Sequence, residues 1–201
     1  GSSRSPRIAT QAEAEGEIET AERFGARFVG IGEPDYPPAL RQLDGAPPLI
    51  AMKGSATAAT RACVGIVGSR NASINGAKFA AMLARDCGRA GYTIASGLAR
   101  GIDAAAHRAS LASGTVAMLA GGLDRPYPQE NFGLLQDIYD QGGATISEMP
   151  FGWEPRARDF PRRNRLISGV SLGVVIVEAA ERSGSLITAR LAGEAGRLVF
   201  A

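Results

Sequence analysis

The stretch VGIVGSRNASINGAKFAAMLARDCGRAGYTIASGLARGIDAAAHRASLASGTVAMLAGG, residues 64–122, decides the fold. It holds three short apolar runs: VGIVGS at 64–69, YTIASG at 92–97 and TVAMLAGG at 115–122. Between them lie two stretches of helical character, NGAKFAAMLARDCGRAG at 75–91 and GIDAAAHRASLASG at 101–114. The apolar runs are nearly continuous rather than alternating, as in strands covered on both faces. Strand and helix in this rhythm predict a parallel sheet with right-handed crossovers. The rhythm continues through ATISE at 144–148, VVIVEA at 174–179 and RLVFA at 197–201, with helical NFGLLQDIYDQGG at 131–143 and SGSLITARLAGEAG at 183–196. The predicted class is therefore α/β: an extended, Rossmann-like, doubly wound, mostly parallel sheet with helices on both faces.

Towards the N-terminus the pattern changes. Residues 26–63 contain ARFVGIG, read as a strand, DYPPALRQL, a helix opened by proline, and PPLIAMKG, a second strand. These pieces are expected to extend the sheet at one edge. Residues 1–25 are polar, with Glu13, Glu15, Glu17, Glu19 and Glu22, and read as a short helix or arm. The expected organisation is an arm at 1–25, an edge extension at 26–63 and a Rossmann-like domain at 64–201.

Composition bounds the function. The chain has 201 residues, 45% hydrophobic and 21% charged, which is ordinary for a soluble globular protein. Its 26 glycines follow no three-residue period, which excludes collagen and points to tight turns. Two cysteines, Cys63 and Cys87, are too few for a disulfide framework or a zinc cluster and suit a reducing compartment. No apolar run reaches the roughly 18 residues of a membrane span, and the start GSSRSPRIAT lacks a signal-type stretch. The cytoplasm is the expected location. The net charge of +2 hides a bias, since the 22 basic residues are 20 Arg and two Lys, Lys53 and Lys78. Arginine suits bidentate phosphate contacts, although a GC-rich genome gives the same bias, so local clustering is more informative.

Doubly wound sheets bind ligands beyond the carboxyl ends of their strands. Those ends here carry GSR (68–70), SGLARGID (96–103), GGLDRPYP (121–128), SEMPFG (147–152) and EAAERSGS (178–185). In GSR, Gly68 lets a phosphate approach the backbone, Ser69 offers a hydroxyl and Arg70 a guanidinium fork. Gly97 and Gly101, beside Arg100, repeat this logic, and Gly184 and Ser185 open a helix whose positive end favours an anion. Taken singly, each is equally a tight strand–helix turn. Enzyme readings have less support. His107 is the only histidine, and no GxSxG elbow is present. Asp103 and His107 share a helix face, where a capping aspartate beside a helix-facing histidine is the plainer account. Metal ligation lacks donors. Neither a Walker loop nor a GxGxxG turn follows any strand.

Between Trp153 and Arg165 stand Arg156, Arg158, Arg162, Arg163 and Arg165 against Glu154 and Asp159, a local charge of +3. Arginines at a helix start oppose its dipole. A polyanion would account for them; a solvated loop is the alternative. Tyr127, Phe132, Phe151, Trp153 and Phe160 lie near the same edge, and cations mixed with aromatics suit single-stranded nucleic acid.

The ordered motifs GSR, SGLARGIDAAAH, GGLDRPYP, SEMPFG, FPRRNRLISG and EAAERSGSLITA resemble the DNA processing protein A (DprA/Smf) family over about residues 34–201, including YPPAL and PPLIAMKG. The resemblance implies an extended Rossmann-like domain that binds single-stranded DNA, dimerises and loads the RecA recombinase onto incoming DNA in natural transformation. It implies no enzyme activity, cofactor or metal. By position it implies that Gly68, Ser69 and Arg70 hold a backbone phosphate, and that Gly97 and Gly101 let the strand approach. It further implies that Phe132 meets a base or sugar, and that Asn164 with Arg162, Arg163 and Arg165 lines the same pocket. Many members carry lysine after the YP motif. This chain has Gln129 there, one phosphate charge fewer, for which Arg125 or the FPRRNR arginines are the expected compensation. Members continue past VFA with a helix that helps build the dimer and often a winged helix, so the chain reads as a fragment.

A related Rossmann-like family, the LOG-type phosphoribohydrolases, supplies the alternative of a nucleotide-binding protein or hydrolase. Its PGGxGTxxE signature corresponds to RSGSLITAR, where Ile187 and Thr188 replace the catalytic glutamate. Turnover is not expected.

Overall fold

A computed structural model describes residues 8–180 and 183–201. The elements in chain order are α1 (Gln11–Arg23), β1 (Ala26–Gly30), α2 (Pro38–Arg41), β2 (Leu49–Gly54), α3 (Ala56–Thr60), β3 (Cys63–Gly68), α4 (Ile74–Arg89), β4 (Thr93–Ser96), α5 (Ile102–Ser110), β5 (Thr115–Met118), α6 (Phe132–Asp140), β6 (Ala144–Ser147), α7 (Asp159–Val170), β7 (Ser171–Val177), α8 (Gly184–Glu194) and β8 (Leu198–Phe200). A 3₁₀ turn at Gln129–Asn131 leads into α6. Within the arm read at 1–25, a helix starts at Gln11, where Thr10 and Glu13 form a reciprocal capping box. The rest of that reading, at 1–7, and Glu181 and Arg182 of EAAERSGS lie outside the described residues.

All eight strands form one sheet in the order β1-β2-β6-β5-β4-β3-β7-β8. The six strands from β6 to β8 are parallel. β2 joins β6 antiparallel and β1 joins β2 antiparallel, so the preamble extends the sheet at its β6 edge. The order reverses between β3 and β7, the switch point at which doubly wound sheets open a crevice.

Both faces are covered. On one, Ala80 and Ala84 of α4 and Ile102 and Ala106 of α5 pack on Ile66, Ile94 and Val177, and α6 continues the layer with Leu134, Leu135 and Ile138. On the other, Leu166, Ile167 and Val170 of α7 and Ala192 of α8 pack on Val67, Val174 and Ile176, beside Tyr36, Leu40 and Ala58 from the preamble. This is why the central strands read as unbroken apolar runs. RLVFA departs from that rule. β8 is an edge strand, and Leu198, Val199 and Phe200 are all exposed. β7 begins three residues before the expected run, because Ser171 and Gly173 already pair with Cys63 and Val64. The short helix α3, capped by Ser55, carried no periodic signal. Cys63 is buried, and desolvation pushes its thiol up to about 12, while Cys87 is only partly buried. Among the described residues no helix is long and apolar enough to cross a membrane, and no three His, Cys, Asp or Glu side chains cluster as metal ligands.

Gly68 ends β3 where the chains run closest. A Cβ there would overlap the carbonyl of Val177 and crowd Ile102, while the next amide, Ser69, donates to that same carbonyl at 3.2 Å. The glycine is needed for strand pairing at the switch point. Gly68→Ala should therefore lower unfolding stability by about 1–3 kcal/mol, the usual range for overpacking, as read from the urea midpoint.

Candidate nucleic-acid interface

A cavity of about 310 Å³ opens at the switch point. Its floor is the end of β3 with Gly68, Ser69, Arg70 and Asn71. One wall is the face of α7 carrying Phe160, Arg163, Asn164 and Ile167, and the opposite wall is the start of α8 with Ser183, Gly184 and Ser185. Spacings of three and four residues put that α7 set on one stripe of the helix. Helix α8 starts without a side-chain cap, and the Ser183 and Ser185 hydroxyls bond to each other at 2.8 Å. Asn164 Nδ2 donates to the Gly184 carbonyl at 3.1 Å and ties the two walls together.

Arg163 is the buried centre of this wall, only 5% exposed. Its Nη1 donates to the carbonyls of Gly97 and Met118, at the ends of β4 and β5. Burial lowers its pKa to about 10, with the Asp103 carboxylate opposing the fall and Arg70 adding to it. The guanidinium thus stays charged at neutral pH. Arg70 is exposed and lies over the Phe160 ring at 5.2 Å, with Arg163 at 5.9 Å from the same ring. Phe160 also meets Tyr127 edge-on at 5.6 Å. A small recess between Arg70, Arg100, Tyr127, Pro128 and Phe160 adjoins the cavity. Arg70 joins no ion pair among the described residues.

The loop before α5 is held from below. Asp103 Oδ2 accepts the amides of Gly97 at 3.0 Å and Ala99 at 3.4 Å. Burial raises the Asp103 pKa, and Arg163 and these amides oppose the rise. Leu98 has a left-handed φ of 58°, which costs a residue with a Cβ. It is fixed by its amide bond to His107 Nε2 at 3.4 Å and by Asn131 Nδ2, which donates to its carbonyl at 2.8 Å. Because Nε2 accepts, Nδ1 carries the proton and donates to Thr115 Oγ1 at 2.7 Å. Thr115 in turn donates to the Ile94 carbonyl at 2.9 Å. Asp103 and His107 therefore build a loop and do not form a catalytic pair.

The expected site residues divide. Gly68, Ser69, Arg70, Arg163 and Asn164 converge on the cavity. Gly97 and Gly101 lie just past the end of β4 and make room for protein. The Arg163 guanidinium occupies the space of a Gly97 Cβ, and Gly101, at φ 71°, lets the Ser69 carbonyl pass. Arg162 and Arg165 do not line the cavity. Both pair with the buried carboxylate of Glu148, and Arg165 also donates to the Gly45 carbonyl at 2.7 Å. The expected polyanion is also unnecessary at the helix start, since Asp159 occupies the first turn of α7 and accepts from Trp153 Nε1 and the Arg156 amide. Those bonds, the Trp153 one foremost, hold its carboxyl below the usual range.

Gln129 is exposed in the 3₁₀ turn and Phe132 is 43% exposed beside it, both outside the cavity lining. Arg125 gives Gln129 no support, being paired with Asp124 at 3.3 Å and Glu154 at 3.1 Å. Phe151 packs edge-on against Phe24 and Phe28, away from this edge. Phe160, one of the aromatics expected near this edge, does line the cavity: it sits three before Arg163 on one helix stripe.

The model of the family DNA recombination-mediator protein A matches residues 27–201. Protein Smf of Escherichia coli K12 is 44% identical over 168 residues, covering 83% of this chain and 45% of that protein. The chain thus spans less than half the length of this relative. The X-ray structure of DNA processing protein A from Streptococcus pneumoniae superposes with a TM-score of 0.85 at 37% identity, covering 96% of this chain and 66% of that one. DNA processing protein A from Helicobacter pylori, solved in a study of its single-stranded DNA binding mode, gives 0.78 at 29% identity, covering 86% and 79%.

The buried histidine has a pH consequence. Burial first, then Arg163 and Arg108, lower the His107 pKa to about 3. The unfolded chain binds this proton near pH 6.5 and the folded chain does not. The neutral imidazole's contribution is therefore complete above pH 6.5 and is lost as pH falls towards 3. Wild type should lose about 2 kcal/mol between pH 7 and pH 5 through this group. Urea titrations at both pH values should show that much less loss in His107→Gln.

Proposed function

This chain belongs to the DNA recombination-mediator protein A family, and from that premise we propose that it binds single-stranded DNA at the switch-point cavity. The observation that carries the reading is the pair of guanidiniums, Arg70 and Arg163, set against one aromatic ring at the mouth of a cavity walled by a helix start. Phosphate takes the fork of Arg70 and the positive end of α8. Tyr127, Phe160 and the exposed Phe132 offer stacking faces, each worth about 1–3 kcal/mol per base. Duplex DNA keeps its bases inside and cannot use such faces. In the proposed role the protein shields incoming DNA in the cytoplasm and loads the RecA recombinase during natural transformation. It does so as a homodimer, for which the exposed apolar side chains of β8 provide a surface.

The mode of action is binding without turnover. Asp103 is the only carboxylate among the described residues lining the cavity, and it already accepts two backbone amides. In α8, Thr188 donates to the Gly184 carbonyl where a phosphoribohydrolase needs its glutamate. Arg162 and Arg165 serve the fold through Glu148, so the DNA contact rests on Arg70 and the α7 stripe.

Fluorescence anisotropy with single- and double-stranded oligonucleotides of equal length tests the reading. Single strands should bind more tightly, and log affinity should fall against log salt with a slope near 0.7 per neutralised phosphate. Equal affinity for both forms overturns it. In the same assay Arg70→Ala should cost about 1.5–3 kcal/mol. Arg162→Ala, at a residue held on Glu148, should change binding by less than about 0.5 kcal/mol. The reverse order would place the DNA on the other face of α7.

A further inference from the structure

We propose that the switch-point cavity takes a terminal phosphomonoester, the dianionic end group of a strand, in preference to an internal phosphodiester. This inference rests on the reading of the cavity as the DNA site and narrows what that site selects.

Arg70 and Arg163 both lie against the Phe160 ring, at 5.2 and 5.9 Å from its centroid, and the Arg70 charge helps to depress the Arg163 pKa. Two like charges held together in a half-enclosed space repel. The one carboxylate among the described residues that lines the cavity, Asp103, is buried, accepts the amides of Gly97 and Ala99 with Oδ2 and offsets part of the Arg163 charge. The start of α8 adds a partial positive charge on the opposite wall, with no side-chain cap from Ser183. Among the described residues the lining thus carries two cations, one anion that faces Arg163, and the positive end of the α8 dipole. An internal phosphodiester brings one negative charge. A terminal phosphate brings about 1.5 to 2 at neutral pH and three acceptor oxygens, enough to meet Arg70, Ser185 and the α8 start together.

Enclosure points the same way. The cavity, at about 310 Å³, is of the size that holds a small ligand. The Asn164 bond to Gly184 joins the two walls, α7 and α8. The aromatic recess with Tyr127 and Phe160 adjoins the cavity through Arg70, Ala99 and Arg163. A phosphate seated against α8 therefore has its sugar and base directed towards Phe160 and Tyr127, with the following nucleotides leaving past the exposed Phe132.

The same dianion is found on a free nucleoside monophosphate, and the test separates the two sources. Four single strands of one sequence are titrated against the protein: 5′-phosphorylated, 3′-phosphorylated, hydroxyl at both ends, and circular. A phosphorylated linear strand, at one end or the other, should bind roughly tenfold or more tightly than the hydroxyl and circular forms, the scale of one added charge-assisted hydrogen bond. Arg70→Ala should bring that ratio towards one. Deoxyadenosine monophosphate should displace the phosphorylated strand only at far higher concentration, because it lacks the stacked neighbours; displacement at equal concentration would assign the site to free nucleotides and overturn the strand-end proposal. Equal binding of all four strands also overturns it while leaving single-strand binding intact. Failure of all four to bind overturns the underlying reading as well.

Discussion

The burial of the Arg163 guanidinium is the interaction on which the functional edge depends. Moving a charge out of water costs several kcal/mol unless its donors are met. Here Nη1 serves the Gly97 and Met118 carbonyls, Nε reaches Asn164 Oδ1 at 3.3 Å, and the Asp103 carboxylate supplies a countercharge nearby. One side chain from α7 thereby closes the ends of β4 and β5. It can enter only because residue 97 has no Cβ. The loop of residues 97–101, Asp103 beneath it and the stripe of α7 that lines the cavity are consequences of that single insertion.

Helical phase sorts the remaining arginines. Residues 162 and 165 fall on the side of α7 that meets the segment just after β6, where the 4% exposed Glu148 carboxylate receives both. Residue 163 falls on the opposite side. A charge count over Trp153–Arg165 cannot separate these roles, because it ignores both direction and partners distant in sequence. The count overstates the free charge of the segment. Glu148, inside SEMPFG, carried the missing information, but only the fold brings it against α7.

The central fold was legible because its physics is local: β3 to β7 are covered on both faces, and a covered strand must be apolar throughout. β8 escaped that logic as an exposed edge, and α3 is too short for any period to show. At the site, GSR and FPRRNR were visible as residue types in a row. The functions of Gly97 and Gly101 were not. A glycine that admits a ligand and a glycine that admits a neighbouring side chain look the same in one dimension. The histidine was legible as structural from its lone status, yet its partners Leu98 and Thr115 come from separate loop and strand positions that spacing does not join.

The two helix starts beside the switch point differ in what already occupies them. Glu178 follows β7 with a left-handed φ of 54°, and its carboxylate accepts both the amide and the hydroxyl of Ser73, the N-cap of α4. Those bonds hold its pKa below the usual range, so the group is an anion at neutral pH. It also fills the space that a side chain at Gly76 would need. The start of α4, which in a doubly wound sheet is a ready phosphate cradle, is thus occupied by the protein's own carboxylate. The start of α8 has no such internal partner from Ser183 and faces Arg70 and Arg163 instead. The strained glutamate thus fills the positive end of α4, whereas among the described residues no side chain caps the start of α8.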